Sequence, residues 1–150
     1  MFANKVIKTL IVSIISLFFT VNSFSIEPKD FVQQTVDKAA KALDQNLSKD
    51  LKIFKLKNIA VKTVDIRGIG FYSLGKYRKN MSEEKKEEYL EIFTKYFLKT
   101  FSSRLAQYSD PKIIVNSQKK LNEKYTMVSS TLVATEDKPE VKIDWRVITK

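Results

Sequence analysis

A catalyst built from this chain would have to work with Asp, Glu, Lys, Tyr and Ser, because its 150 residues include no His and no Cys. Zinc sites, cysteine nucleophiles, Ser-His-Asp triads and imidazole acid–base chemistry are thereby excluded. Three glycines leave no phosphate-cradling loop and no dinucleotide fingerprint. What remains is a carboxylate whose pKa is raised by burial, working beside a tyrosine. Asp65, Asp144 and Tyr77 could be assembled that way, as in a small isomerase or hydratase. Asp144 falls on the polar side of an alternating segment, which counts against it. The direction in which Asp65 and Asp144 point decides this reading.

A different chemistry, the binding of apolar matter, has better material. Tyr89, Phe93, Phe97 and Phe101 recur every four residues, joined by Leu90, Tyr96, Thr100 and Leu105. A helix with so broad an apolar face is buried over much of its circumference or lines a cavity. A core face and a cavity wall look alike in sequence, so this stripe does not choose between them. The same holds for Trp145, a core anchor or a ligand contact. Lys85, Lys86 and Lys95 read as solvated surface.

The elements that position these residues follow from periodicity. Pro28 and Asp30 start a helix carrying Val32, Val36, Ala39, Leu43 and Leu47 at three- and four-residue spacing, which predicts a helix over Pro28–Leu47. A second, short helix is expected over Ser48–Lys57, and Asn58–Lys62 reads as helix or loop. Another short helix follows from Val64, with Gly68 and Gly70 allowing close approach of a neighbour. Ser82 caps the aromatic helix, with Glu83 and Glu84 in its first turn, and that helix ends near Tyr108. After Pro111 the period drops to two. Strands are expected at Ile113–Val115, Tyr125–Ala134 and, after a turn at Glu136–Pro139, from Val141, where Val141, Ile143, Trp145 and Val147 alternate with Lys142, Asp144 and Arg146. Helices first and an antiparallel meander second make the class α+β. The last strand has an open edge, through which an interaction protein could dock as a dimer.

The amino terminus reads as an export signal. Lys5 and Lys8 precede an apolar run from Leu10 to Val21, and Ser23 and Ser25 stand where a signal peptidase looks for small residues. About a dozen apolar residues make roughly 18 Å of helix, short of a bilayer core of roughly 30 Å. Residues 1–25 are therefore expected to be a cleaved leader and residues 26–150 a single domain. Two lysines and no acid lie in the leader, so the net charge of +10 becomes +8 without it. For an exported chain that balance suits anionic lipid headgroups, an acidic partner or simple solubility better than nucleic acid.

The order of parts resembles the periplasmic phospholipid-binding, MlaC-like proteins of the Mla pathway, also called the toluene-tolerance family. The resemblance is carried by Val64-Asp65-Ile66, by Leu74-Gly75-Lys76-Tyr77-Arg78, by the Ser82-Glu83-Glu84 helix start and by Thr100-Phe101 with Arg104-Leu105. Pro28, Phe31 and Val32 agree at one flank and Val141-Lys142-Ile143-Asp144-Trp145-Arg146 at the other. Lys76 stands where the family often has Arg, and the family continues beyond this strand, so the domain is expected to be incomplete at its C-terminus: a shortened working form or a truncated remnant. The resemblance implies helices packed on a curved antiparallel sheet around an apolar cavity. It implies a periplasmic carrier and not an enzyme, without metal or cofactor. Its partners would be phospholipid, an inner-membrane ABC transporter complex and an outer-membrane lipoprotein–porin complex. The candidate lipid-binding residues are Leu74, Tyr77, Tyr89, Phe93, Phe97, Phe101, Ile143, Trp145 and Val147, and Lys76 and Arg78 are candidates for headgroup or partner contact. A monomer without nucleic acid is expected.

Overall fold

The structure, a computed structural model, describes residues 26–149; the leader expected at 1–25 lies outside them. Among the described residues four α-helices precede a three-stranded sheet: α1 (Pro28–Ala42), α2 (Lys49–Thr63), α3 (Ile66–Ser73), a 3-10 turn (Gly75–Lys79), α4 (Glu83–Leu105), β1 (Ile113–Lys120), β2 (Tyr125–Leu132) and β3 (Val141–Ile148). The strands run in the order β1-β2-β3, both pairs antiparallel. This is the expected α+β class.

Local chemistry sets the helix ends. Ser48 and Ser82 cap α2 and α4 by accepting from the backbone N–H groups of Leu51 and Lys85, and each relieves one otherwise unpaired amide of a first turn. Asp65 does the same for α3 through Gly68. The first helix is shorter than its apolar spacing predicts. Leu43 leaves helical geometry, and Asp44 draws the amide of Asn46 to its carboxylate at 2.8 Å, so the chain turns before Leu47. The second is longer: Asn58–Lys62 continues α2 without a break, because Ala60 is enclosed on the same side as Leu56.

Two apolar clusters hold the layers. Val32 and Val36 of α1 meet Val128 of β2, with Phe31, Ile113, Val115, Trp145 and Val147 packed around them. This cluster seats α1 on the sheet. Ala42, Leu43, Leu56 and Ala106 form the second, joining the C-terminal end of α1 to α2 and to the end of α4. There the chain is pinned by Asp110, whose amide donates to the Leu43 carbonyl at 3.2 Å and whose carboxylate accepts from the Gln45 amide, also at 3.2 Å. α4 in turn packs on α2 and α3. Gly70 of α3 is the close approach expected there: a Cβ at that position would lie 2.9 Å from both Leu90 Cδ2 and Phe93 Cδ1.

β1 is much longer than the three residues predicted. Its register shifts between Val115 and Ser117, a bulge that breaks the alternation on which the sequence reading relied, and its second half is polar and exposed.

Candidate functional site

The aromatic stripe of α4 forms a ladder. Tyr89 and Phe93 stack with ring centroids 5.9 Å apart, Phe93 and Phe97 at 6.2 Å, and Phe97 and Phe101 at 5.5 Å with the last two planes within 9°. Spacing of four residues on a helix brings side chains one above the other, which is what lets the rings stack. All four rings are half-buried. Leu90 and Ser102 of the same helix are each 0% exposed. The outer side carries Ile92 and Tyr96, 59% and 65% exposed. Burial over most of the circumference, one of the two outcomes of so broad an apolar face, is therefore not what forms. α4 encloses Leu90 and Ser102 and leaves its ladder half-buried.

A second half-open apolar surface lies on β3. Inward residues of β2 are fully covered, with Thr126, Val128, Ser130 and Leu132 all buried. Val147, Trp145 and Ile143 stand opposite Thr126, Val128 and Ser130, so they share that inner face. They are only half-buried. The reason is placement: α1 packs over β1 and β2, and β3 lies at the margin of that cover. Trp145 is held by its indole Nε1, which donates to Ser130 Oγ at 2.8 Å.

The remaining candidates sit at the α3–α4 connection. Leu74 is enclosed, 7% exposed, whereas Tyr77 is 69% exposed with Lys76 Nζ 5.7 Å from its ring centroid. Lys76 and Arg78 are exposed on the 3-10 turn. The fold thus gathers Tyr89, Phe93, Phe97 and Phe101 into one ladder and Ile143, Trp145 and Val147 onto one sheet face, while Tyr77, Lys76 and Arg78 project to solvent.

The carboxylates of the catalytic reading are occupied otherwise. Asp65 is exposed and its Oδ1 accepts from the Gly68 amide at 2.9 Å. Asp144 is exposed on the outer face of the sheet and accepts from Ser129 Oγ at 2.7 Å. Neither is buried, and each is held by a hydrogen bond of local structural use. Among the described residues no cluster of acids is placed to hold a metal ion.

One feature was illegible in the sequence. An open groove of about 520 Å³ lies between α2, α3 and α4, floored by Val61, Val64, Ile66 and Leu90 and edged by Arg67, Glu91 and Lys95. Beside it Arg67 Nη2 donates to both carboxylate oxygens of Glu87, at 2.7 and 2.9 Å. That hydrogen bond holds the Glu87 carboxyl below its ordinary range and lifts the Arg67 guanidinium above its own. Its residues come from three helices, so no single spacing could announce it.

Among the described residues this is an α+β domain with two half-open apolar faces, on α4 and on β3. The chain belongs to the MlaC protein family, whose model matches residues 31–150. No curated protein matches it in sequence. Among solved structures it is similar to a phospholipid-binding protein from Ralstonia solanacearum, determined in complex with a phospholipid. The TM-score is 0.64 at 15% sequence identity, and the match covers 81% of this chain and 70% of that one. The shared architecture is the one that the family resemblance implied.

Proposed function

We propose that this protein is a periplasmic phospholipid carrier that shuttles lipid between the outer and inner membranes and so helps to maintain outer-membrane lipid asymmetry. The observation that carries this reading is the Tyr89–Phe101 ladder, half-buried on a helix whose adjacent Leu90 is completely enclosed. A ring stack left half-buried offers its open side as an apolar surface to a ligand. The β3 face of Ile143, Trp145 and Val147 is the second such surface, and acyl chains need only dry apolar walls, leaving the headgroup near water. Each methylene withdrawn from water contributes about 0.8 kcal/mol, so partial enclosure of two acyl chains suffices for tight binding without any reaction. Family membership supports the reading, as does the phospholipid held by the Ralstonia solanacearum protein of the same fold. In this scheme the donor and acceptor are an outer-membrane lipoprotein–porin complex and an inner-membrane ABC transporter complex.

Native mass spectrometry of residues 26–150 purified from periplasm tests the proposal. One phospholipid per chain is the expected result. A folded chain that carries none would overturn it.

A further inference from the structure

The α3–α4 connection carries an exposed surface of its own. The segment is anchored at several points. Asp65 caps α3, Gly70 lies against Leu90 and Phe93, Ser73 Oγ and Tyr89 Oη are 2.8 Å apart, and Leu74 is enclosed. Gly75 then takes a left-handed backbone conformation, φ +52°, which turns the chain outward. The 3-10 turn is closed by the Tyr77 amide on the Leu74 carbonyl and the Asn80 amide on the Tyr77 carbonyl, both at 3.1 Å.

What this held segment shows to solvent has a definite chemistry. Ile69, Tyr72 and Tyr77 are 42%, 80% and 69% exposed. Lys76, Arg78 and Lys79 are exposed on the adjoining 3-10 turn, with Lys76 Nζ 5.7 Å from the Tyr77 ring centroid, and none takes part in an ion pair among the described residues. From Gly68 to Ser82 the sequence contains no acid. The acids that flank this stretch are Asp65, whose carboxylate accepts from the Gly68 amide, and the four that open α4, of which Glu83 is engaged by Lys86 and Glu87 by Arg67. Exposed tyrosines are costly in water but suited to the headgroup level of a bilayer, with the ring in the apolar boundary and the hydroxyl wet. Unpaired lysines and arginines beside them each favour an anionic leaflet by about fivefold in partitioning. An acidic protein surface would answer the charges but gives no equal reason for tyrosines this exposed.

We propose that Tyr72, Tyr77, Lys76, Arg78 and Lys79 dock this protein on the surface of an anionic phospholipid bilayer. The site is distinct from the ladder and from β3, and an empty protein would use it as well as a loaded one.

Vesicle co-sedimentation of residues 26–150 tests it, with phosphatidylcholine alone and with phosphatidylcholine mixed with phosphatidylglycerol. The protein should pellet with the mixed vesicles at low salt and much less at high salt. The triple variant Lys76→Ser, Arg78→Ser, Lys79→Ser should weaken that partitioning by about a hundredfold. Tyr72→Ser with Tyr77→Ser should weaken it at least tenfold with every charge intact. Lys112→Ser, Lys119→Ser and Lys142→Ser remove equal charge from the sheet and should change it little. Equal loss in the two triple variants would overturn the site, since charge alone would then explain binding. Failure of the native chain to pellet with anionic vesicles would overturn it too, and would turn the patch toward an acidic protein partner. None of these readouts depends on whether lipid co-purifies.

Discussion

The indole nitrogen of Trp145 donates to Ser130 Oγ at 2.8 Å, a bond between neighbouring strands on the inner face of the sheet. Ser130 is 1% exposed while the ring it holds is half-buried. The bond therefore fixes the orientation of a partly open aromatic surface. Ser130→Ala removes the acceptor and should cost about 1 kcal/mol in urea unfolding. Trp145 is the chain's only tryptophan, so its emission reports this site without interference. Loss of the bond should red-shift and broaden that emission in the folded variant; an unchanged spectrum would mean that packing alone sets the ring.

Gly70 is where α3 touches α4. Alanine there gains about 1 kcal/mol of helix propensity. It also forces a methyl to within 2.9 Å of Leu90 Cδ2 and Phe93 Cδ1, and overpacking of that kind costs about 1–3 kcal/mol. Gly70→Ala should be destabilised by about 1 kcal/mol net, and Gly70→Val by more, since a β-branched residue adds bulk without that gain. Thermal unfolding of both variants checks the order.

These two relationships mark what could be read from the residues. The Ser82 cap was legible because it depends on local chemistry, Gly70 because a glycine inside a helix marks a close approach, and α4 because its four-residue spacing persists over several turns. The end of α1 was misjudged because Leu43 and Leu47 keep helical spacing while Asp44 turns the backbone. The second half of β1 was missed because its bulge interrupts the alternation and Ser117, Gln118, Lys119 and Lys120 offer no apolar face. As for the site, sequence grouped Tyr89, Phe93, Phe97 and Phe101 correctly along one line. It could not say that Leu90 takes the core and leaves the rings half open, because that division depends on where α2 and α3 lie.

The Arg67–Glu87 pair should leave a small mark on acid stability. The hydrogen bond from Arg67 lowers the Glu87 carboxyl below its reference of 4.5. A carboxyl lowered by folding contributes stability that is present above its unfolded value and is lost as pH falls through the folded one. Glu87→Gln should therefore lower the melting temperature slightly at neutral pH and converge with the native chain in acid. Because both side chains are more than half exposed, added salt should shrink the difference. A gap that persists in acid would place its origin in packing.

The most direct test of the apolar walls separates binding from folding with an enclosed and a half-buried residue of one helix. Leu90 is fully enclosed, and Leu90→Ala should cost about 2–5 kcal/mol through the cavity it leaves. Phe97 is half-buried between the rings of Phe93 and Phe101. Phe97→Asp can keep its carboxylate at the open side of the ladder, so the domain should stay folded, yet that charge has no place against an acyl chain. Trp145→Glu makes the same change on the β3 surface. Both variants should purify folded by circular dichroism and empty by native mass spectrometry. Folded variants that retain phospholipid would mean that the ladder and β3 do not line the binding site.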